Sequence, residues 1–480
     1  MTHANHTVEK IGGTSMSDYP SVRQNIILSE RDSDDLYNRI FVVSAYGGVT
    51  DKLLEHKKTG EPGVFGLFAN AESDWAWGDE LTRLSRHLCE INAKLFSDQM
   101  LAQQADQFIT ERVEGVRNCL LDLQRLCSYG HFQLEEHLLT VREMLAGIGE
   151  AHSAFNTALL LQNEGINARM VDLTGWRDNA LLPLDEKIRL TFENIDLSRE
   201  LPIVTGYAQC QEGLMRTFDR GYSEMTFSRI ACITDAGEAV IHKEYHLSSA
   251  DPNIVGKEKV VPIGRTNYDV ADQLANLGME AIHPRAAKGL RQNDIPLRVK
   301  NTFEPEHTGT LITRGYVSEK PQVEIIAGRK SVFAIEVFDQ DMQGEPGSDR
   351  KILEVLARFK TRFITKDTNA NTITHYLDST LRQVKRVVKA LEEVFPNAEI
   401  TTRKVAMVSA IGSDMQVPGL LARTVRALAD EDISILAIHQ CIRQVDMQFI
   451  VDEENYEKSI ANLHKALIEP HNHEYAIVAA

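Results

Sequence analysis

The chain has 480 residues, 43% of them apolar and 25% charged, with a formal net charge of −17. That length exceeds what one hydrophobic core serves and predicts two or three domains. The acidic balance argues against nucleic acid or an anionic membrane as main partner, so an anionic substrate has to be met by locally placed Lys or Arg. The six cysteines (Cys89, Cys119, Cys127, Cys210, Cys232 and Cys441) show no C-x-x-C pair and no metal-ligand spacing. They are read as buried free thiols in a reducing compartment. No apolar leader opens the chain and no apolar run approaches a membrane span, which predicts a cytoplasmic protein.

In chain order, the first informative stretch is Val8-Glu9-Lys10-Ile11-Gly12-Gly13-Thr14-Ser15. It reads as a strand that ends in two glycines and two hydroxyls. Glycine lets backbone approach a ligand closely, and N–H groups ahead of a helix start form an anion cradle. The lysine precedes the glycines, so this is not P-loop spacing. Residues 17–36 read as a helix and its exit. Arg39 to Ala45 is a short apolar run of the kind buried in a parallel sheet. It ends in a second glycine corner, Tyr46-Gly47-Gly48-Val49-Thr50-Asp51, before another helix. Two strand–Gly-Gly–helix passages suggest a ligand at the C-terminal edge of a parallel sheet.

Residues 79–127 and 134–163 carry apolar residues at helical spacing. Trp75 and Trp77 ahead of them are read as core. Gly147 to Ser153 reads as a helix start, with Glu150 either a solvated first-turn carboxylate or a residue facing a site. Strands are predicted at 167–172, 201–207, 239–245 and 295–302. Between them, Arg220 precedes a helix that Ser223 is expected to cap, where a guanidinium and a helix start together suit a carboxylate. Residues 248–253 form a polar turn. Residues 313–322 read as a linker. Beyond it, strand–helix–strand–strand occurs about twice, which predicts ferredoxin-like modules.

Seven of these stretches, in order, resemble the aspartokinase family. K-I-G-G-T-S is similar to its K-F-G-G-T-S, and V-V-S-A-Y-G-G-V-T-D to its V-V-S-A-x-x-G-x-T-N. G-I-G-E-A-H-S is similar to G-E-x-x-S, F-D-R-G-Y-S-E-M-T to G-R-G-G-S-D-x-T, and S-S-A-D-P-N to Y-T-A-D-P-R. I-H-P-R and I-P-L-R-V-K-N-T-F-E-P-E-H-T-G-T-L-I complete the set. The wording of the first two stretches is similar to the aspartokinases that accompany ectoine-synthesis enzymes. The resemblance implies an α/β amino-acid-kinase sandwich with a mainly parallel sheet over residues 1–315. It implies ferredoxin-like ACT modules over 323–480, at approximately 331–400 and 401–480.

The implied reaction transfers phosphate from ATP, with Mg²⁺, to the side-chain carboxylate of L-aspartate. By resemblance, Lys10 and Glu224 are catalytic; Glu224 stands where the family has an aspartate. The nucleotide falls to Lys10, Gly12, Gly13, Thr14, Ser15, Ser44, Gly48, Lys243, Ser248 and Asn253. Aspartate falls to Thr50, Glu150, Tyr207, Arg220 and Ser223. No protein metal ligand is implied. The family's W-T-D-V-D-G is here Ile241-His242-Lys243-Glu244-Tyr245-His246, a change of charge. That departure carries the alternative of a catalytically inactive, amino-acid-binding regulator. A homodimer or higher homo-oligomer is expected, with an amino-acid effector as a further implied partner of the ACT modules.

Overall fold

The computed structural model describes residues 4–470 apart from 30, 32, 58, 71–74, 219–220, 280 and 343–346, so Arg220 lies outside the described residues. The chain divides into two compact units, residues 1–246 with 282–314 and residues 247–281 with 315–480.

The first unit contains strands β1 (Ala4–Ile11), β2 (Arg39–Val43), β3 (Ala168–Val171), β4 (Leu201–Thr205) and β5 (Ala236–Lys243). After β6 (Arg265–Asn267), which falls in the second unit, it adds β7 (Leu297–Asn301) and β8 (Thr310–Thr313). These seven pair in the order β3-β4-β2-β1-β5-β7-β8. Every neighbouring pair is parallel except β7 with β8. β2 is buried at every position, as its unbroken apolar run predicts for a strand covered on both faces. β1 lies between β2 and β5, and Lys10 pairs with Val42 on one side and Ile241 on the other.

A buried ionic group ties these three central strands together. Arg39 Nε donates to Glu9 Oε1 at 2.7 Å, and its other nitrogens donate to the Ile26 and Ile27 carbonyls. His242 Nε2 lies 2.8 Å from Glu9 Oε2. Burial alone would raise the Glu9 carboxyl, but Arg39 and His242 outweigh it and hold it well below the usual range.

Three long helices follow β2: Trp75–Leu95, Gln99–Cys127 and Leu134–Asn163. The helical spacing read over 79–127 is carried by the first two of these, and Asp98 caps the second, accepting from the Met100 N–H at 2.7 Å. Trp77 is core at 1% exposure, whereas Trp75 is 78% exposed. Gly147 to Ser153 does not start a helix; it lies in the middle of Leu134–Asn163. The glycine there answers to packing: a Cβ on Gly149 would fall 2.7 Å from Ala45 Cβ. Ser223 does not cap its helix either, since Gly221 occupies that position and the helix runs Tyr222–Ile233. All six cysteines are free, but only Cys210 is buried and Cys119 is exposed.

The second unit holds a six-stranded antiparallel sheet of β9 (Ile325–Phe338), β10 (Arg362–Thr368), β11 (Thr372–Asp378), β12 (Glu399–Ile411), β13 (Ile435–Gln440) and β14 (Asp446–Asp452). The order is β10-β11-β9-β12-β14-β13. Each half reads strand, helix, strand, strand, helix, with helices Ser348–Arg358 and Leu381–Val394 in one and Leu420–Ala429 and Tyr456–Leu467 in the other. The long strands β9 and β12 pair along nearly their whole lengths, from Glu399 opposite Phe338 to Ile411 opposite Ile325. Each half thereby borrows a fourth strand from the other. Residues 247–281 join this unit because their apolar side chains are buried by it. Ala250 and Val255 pack with Val408, Phe449 and Leu463, and Val270 and Leu274 with Ile325 and Met407. Among the described residues no helix is long and apolar enough to cross a membrane.

Arg39→Met should destabilise the protein by about 3–5 kcal/mol by leaving Glu9 buried without its guanidinium. The measurement is the denaturant midpoint. Adding Glu9→Gln should recover part of the loss, since a neutral amide replaces the stranded charge.

Candidate active site

The two glycine corners meet at the C-terminal ends of β1 and β2. Gly12 precedes the short helix Gly13–Met16, and Gly48, at φ +79°, precedes the helix Val49–Leu53. A Cβ on Gly13 would sit 2.5 Å from the Ala45 carbonyl oxygen, so only glycine permits this approach. Ser17 links the corners: its hydroxyl donates to the Gly13 carbonyl at 3.2 Å and accepts from the Gly47 N–H at 2.8 Å. The Ser44 N–H donates to the Ile11 carbonyl at 3.2 Å, and the Ser44 carbonyl accepts from the Ser153 hydroxyl at 2.8 Å. Thr14 is exposed on the corner and Thr50 half-buried in the following helix.

Lys10 points its charge into this region while only 8% exposed. Burial pushes its ammonium below the usual lysine range; Glu224, Glu150 and Glu244 oppose that shift and Lys243 adds to it. Two ammonium groups and three carboxylates therefore act on one another at this edge of the sheet. Glu224 is oriented from the far side, its Oε2 accepting from the His283 N–H at 2.5 Å.

Glu150, carried mid-helix on Leu134–Asn163, is 1% exposed. The Ser223 hydroxyl donates to its Oε1 at 2.7 Å. Its Oε2 is buried with no hydrogen-bond partner among the described residues. Burial pushes the carboxyl up to about 8, against the Ser223 hydrogen bond, Lys10 and the Tyr207 backbone. A buried carboxylate with one unsatisfied oxygen suits a cationic ligand group.

The remaining sequence candidates separate. Tyr207 is buried and its hydroxyl donates to Glu143 Oε2 at 3.1 Å, so its hydroxyl is committed to the protein and its backbone faces Glu150. The Lys243 carbonyl accepts from the Thr302 N–H at 2.8 Å. Ser15 is buried; its N–H and hydroxyl both donate to Glu244 Oε1, at 3.2 and 3.1 Å, and its hydroxyl lies 3.1 Å from Thr302 Oγ1. Ser248 and Asn253 belong to the second unit, where Asn253 turns back on Asp251 through both its N–H and its amide. Arg220 is outside the described residues.

Several residues that shape the site are not singled out by sequence reading. Ser17 lies two positions beyond one quoted motif and Thr302 inside another, but nothing in their spacing shows which groups they meet. Glu143 lies two helical turns before Glu150 and so shares its face, a signal present in the sequence. His152, Asn156 and Asn92 form a fully buried cluster beside Tyr46, with His152 Nε2 2.6 Å from Asn92 Oδ1. Burial drives His152 down to about 3, which leaves its ring neutral.

Comparison with known proteins agrees with this architecture. The amino acid kinase family pattern matches residues 5–301, and an ACT domain pattern matches residues 408–467. The chain is 59% identical over 475 residues to aspartate kinase Ask_Ect of Stutzerimonas stutzeri, covering 99% of this chain and all of that one. It is 25% identical over 490 residues to aspartokinase 2, chloroplastic, of Arabidopsis thaliana, covering 96% and 84% of the two chains. The solved structure of Escherichia coli aspartokinase III with lysine and aspartate superposes with a TM-score of 0.74 at 20% identity, over 97% of this chain and all of that one. The chain belongs to the amino acid kinase family and, within it, to the ATP-dependent aspartate kinases.

Proposed function

We propose that the chain transfers the terminal phosphoryl group of ATP to the side-chain carboxylate of L-aspartate, giving 4-phospho-L-aspartate and ADP. The observation that carries this reading is the meeting of buried Lys10 with Glu150 and Glu224 beside two glycine corners. An aspartate carboxylate oxygen attacks the terminal phosphorus and the bond to the bridging oxygen of ADP breaks. Such a transfer needs alignment and charge neutralisation more than covalent help from the protein. Lys10 neutralises charge on the moving phosphoryl group. The Gly12, Gly13, Thr14 and Ser15 backbone and hydroxyl donors cradle it, and Ser44 and Gly48 extend the floor. Glu224, anchored on the His283 N–H, orients Lys10.

Aspartate is held by Arg220 at its α-carboxylate and by Glu150 at its ammonium. Thr50, Ser223 and the Tyr207 backbone enclose it. Lys243, Ser248 and Asn253 serve the rest of the nucleotide. Among the described residues no group of three or more His, Cys, Asp or Glu is placed to hold a metal ion. Mg²⁺, when bound, would arrive with the nucleotide and would supply charge neutralisation at its phosphates. Residues 1–315 carry the catalysis; the ACT modules over 323–480, in a homodimer or higher homo-oligomer, receive an amino-acid effector and bias the kinase between states. A dedicated role in ectoine synthesis is supported by the resemblance to ectoine-associated aspartokinases and by the identity to Ask_Ect.

The direct experiment is ATP- and aspartate-dependent acyl phosphate formation, trapped as the hydroxamate. Lys10→Ala should lower turnover by roughly a hundredfold or more, the loss typical of one preorganised charge at a reacting phosphoryl group. Wild-type turnover in that variant would refute the site. Glu150 supplies a pH signature. A bound ammonium stabilises the ionised carboxylate, so aspartate binding expels a proton wherever free Glu150 is protonated. Because its carboxyl titrates at about 8, kcat/KM for aspartate should rise roughly tenfold per pH unit up to that point and level above it. Glu150→Gln should raise the aspartate KM and flatten the profile. A flat wild-type profile would remove Glu150 from the ammonium site.

A further inference from the structure

The phosphate cradle carries an internal anion. Glu244, just beyond β5, places one carboxylate oxygen on both donors of Ser15, the N–H at 3.2 Å and the hydroxyl at 3.1 Å. It also stands with Glu224 and Glu150 among the carboxylates that act on Lys10. We propose that Glu244 is a displaceable counter-anion of the cradle, which holds Ser15 until the terminal phosphate of a nucleotide takes its place and which thereby sets nucleotide affinity.

Four observations support displacement over a permanent brace. Both contacts are longer than the 2.7–2.9 Å usual for hydrogen bonds to an ionised acceptor, so they are weak enough to exchange. A single oxygen takes both donors. Glu244 is only half-buried and follows the end of its strand, so its side chain can rotate toward solvent without moving the sheet. Lys243 and three carboxylates act on Lys10 here, and a triphosphate entering there meets Glu244 as a like charge. Ser15 itself stays in position when the carboxylate leaves, because its hydroxyl also meets Thr302 Oγ1 at 3.1 Å. The residue is particular to this chain's departure from the family wording, in which W-T-D-V-D-G carries no glutamate.

This inference rests on the kinase reading, and the experiment separates the two. Steady-state kinetics with magnesium-ATP and L-aspartate are measured on the full-length protein, Glu244→Gln and Lys10→Ala, alongside calorimetric titration of inorganic pyrophosphate. Glu244→Gln is isosteric and removes the charge. It should lower the KM for magnesium-ATP and tighten pyrophosphate by roughly three- to tenfold, the weight of one or two exchangeable hydrogen bonds. The aspartate KM should stay within about twofold. A magnesium-ATP KM that is unchanged or higher in Glu244→Gln overturns the counter-anion while leaving the kinase site standing. Full turnover in Lys10→Ala overturns the site, and the counter-anion with it.

Discussion

A lysine buried in the central strand of a parallel sheet is the constraint on which this site depends. Lys10 has β2 on one side and β5 on the other and stands one residue before the C-terminal end of β1, with its side chain buried. Desolvation of that charge is unfavourable unless opposite charge lies near. Glu150, Glu224 and Glu244 meet that requirement from a long helix, a short helix start and the end of β5. One residue earlier in the same strand, Glu9 is buried with the opposite sign and is matched by Arg39 and His242. The central strands are thus held by alternating, locally compensated charge within an otherwise apolar layer.

Close backbone approach is the second requirement. Gly13 sits against the Ala45 carbonyl and Gly149 against the Ala45 methyl, so the two corners and the helix 134–163 press on one short segment. The Ser17 and Ser153 hydroxyls then stitch those backbones together. Because Glu150 rides on the same helix as Ser153, the contact that seats the Ser44 backbone also fixes the buried carboxylate beside it.

In the C-terminal unit the decisive feature is the pairing of β9 with β12. Neither half has four strands of its own; each is completed by the long strand of the other. The turn between β13 and β14 leaves Ile442 99% exposed and pairs Arg443 with Asp269 at 2.8 Å. Residues 247–281 interrupt the first unit in sequence but are buried by the second, so Ser248 and Asn253 sit on a segment whose position the ACT sheet determines.

Much of this was legible from the residues alone. Local periodicity marked β2, the long helices and the doubled strand–helix pattern, because burial on one face or both imprints a repeat on the sequence. Paired glycines ahead of a helix marked both corners, because few other residues tolerate such contacts. What tertiary structure alone decided are the relations between distant residues. Gly147 to Ser153 mimics a helix start, and only the Ala45 contact shows that its glycine serves packing. Tyr207 is placed beside aspartate by resemblance, and only the structure shows its hydroxyl held by Glu143. Ser15 reads as an open phosphate donor until Glu244, 229 positions later, is found on it. Spacing along a chain records which face a residue shares with its neighbours; it carries no record of which remote side chain will arrive to satisfy a buried charge or donor, because that is set by how the layers pack.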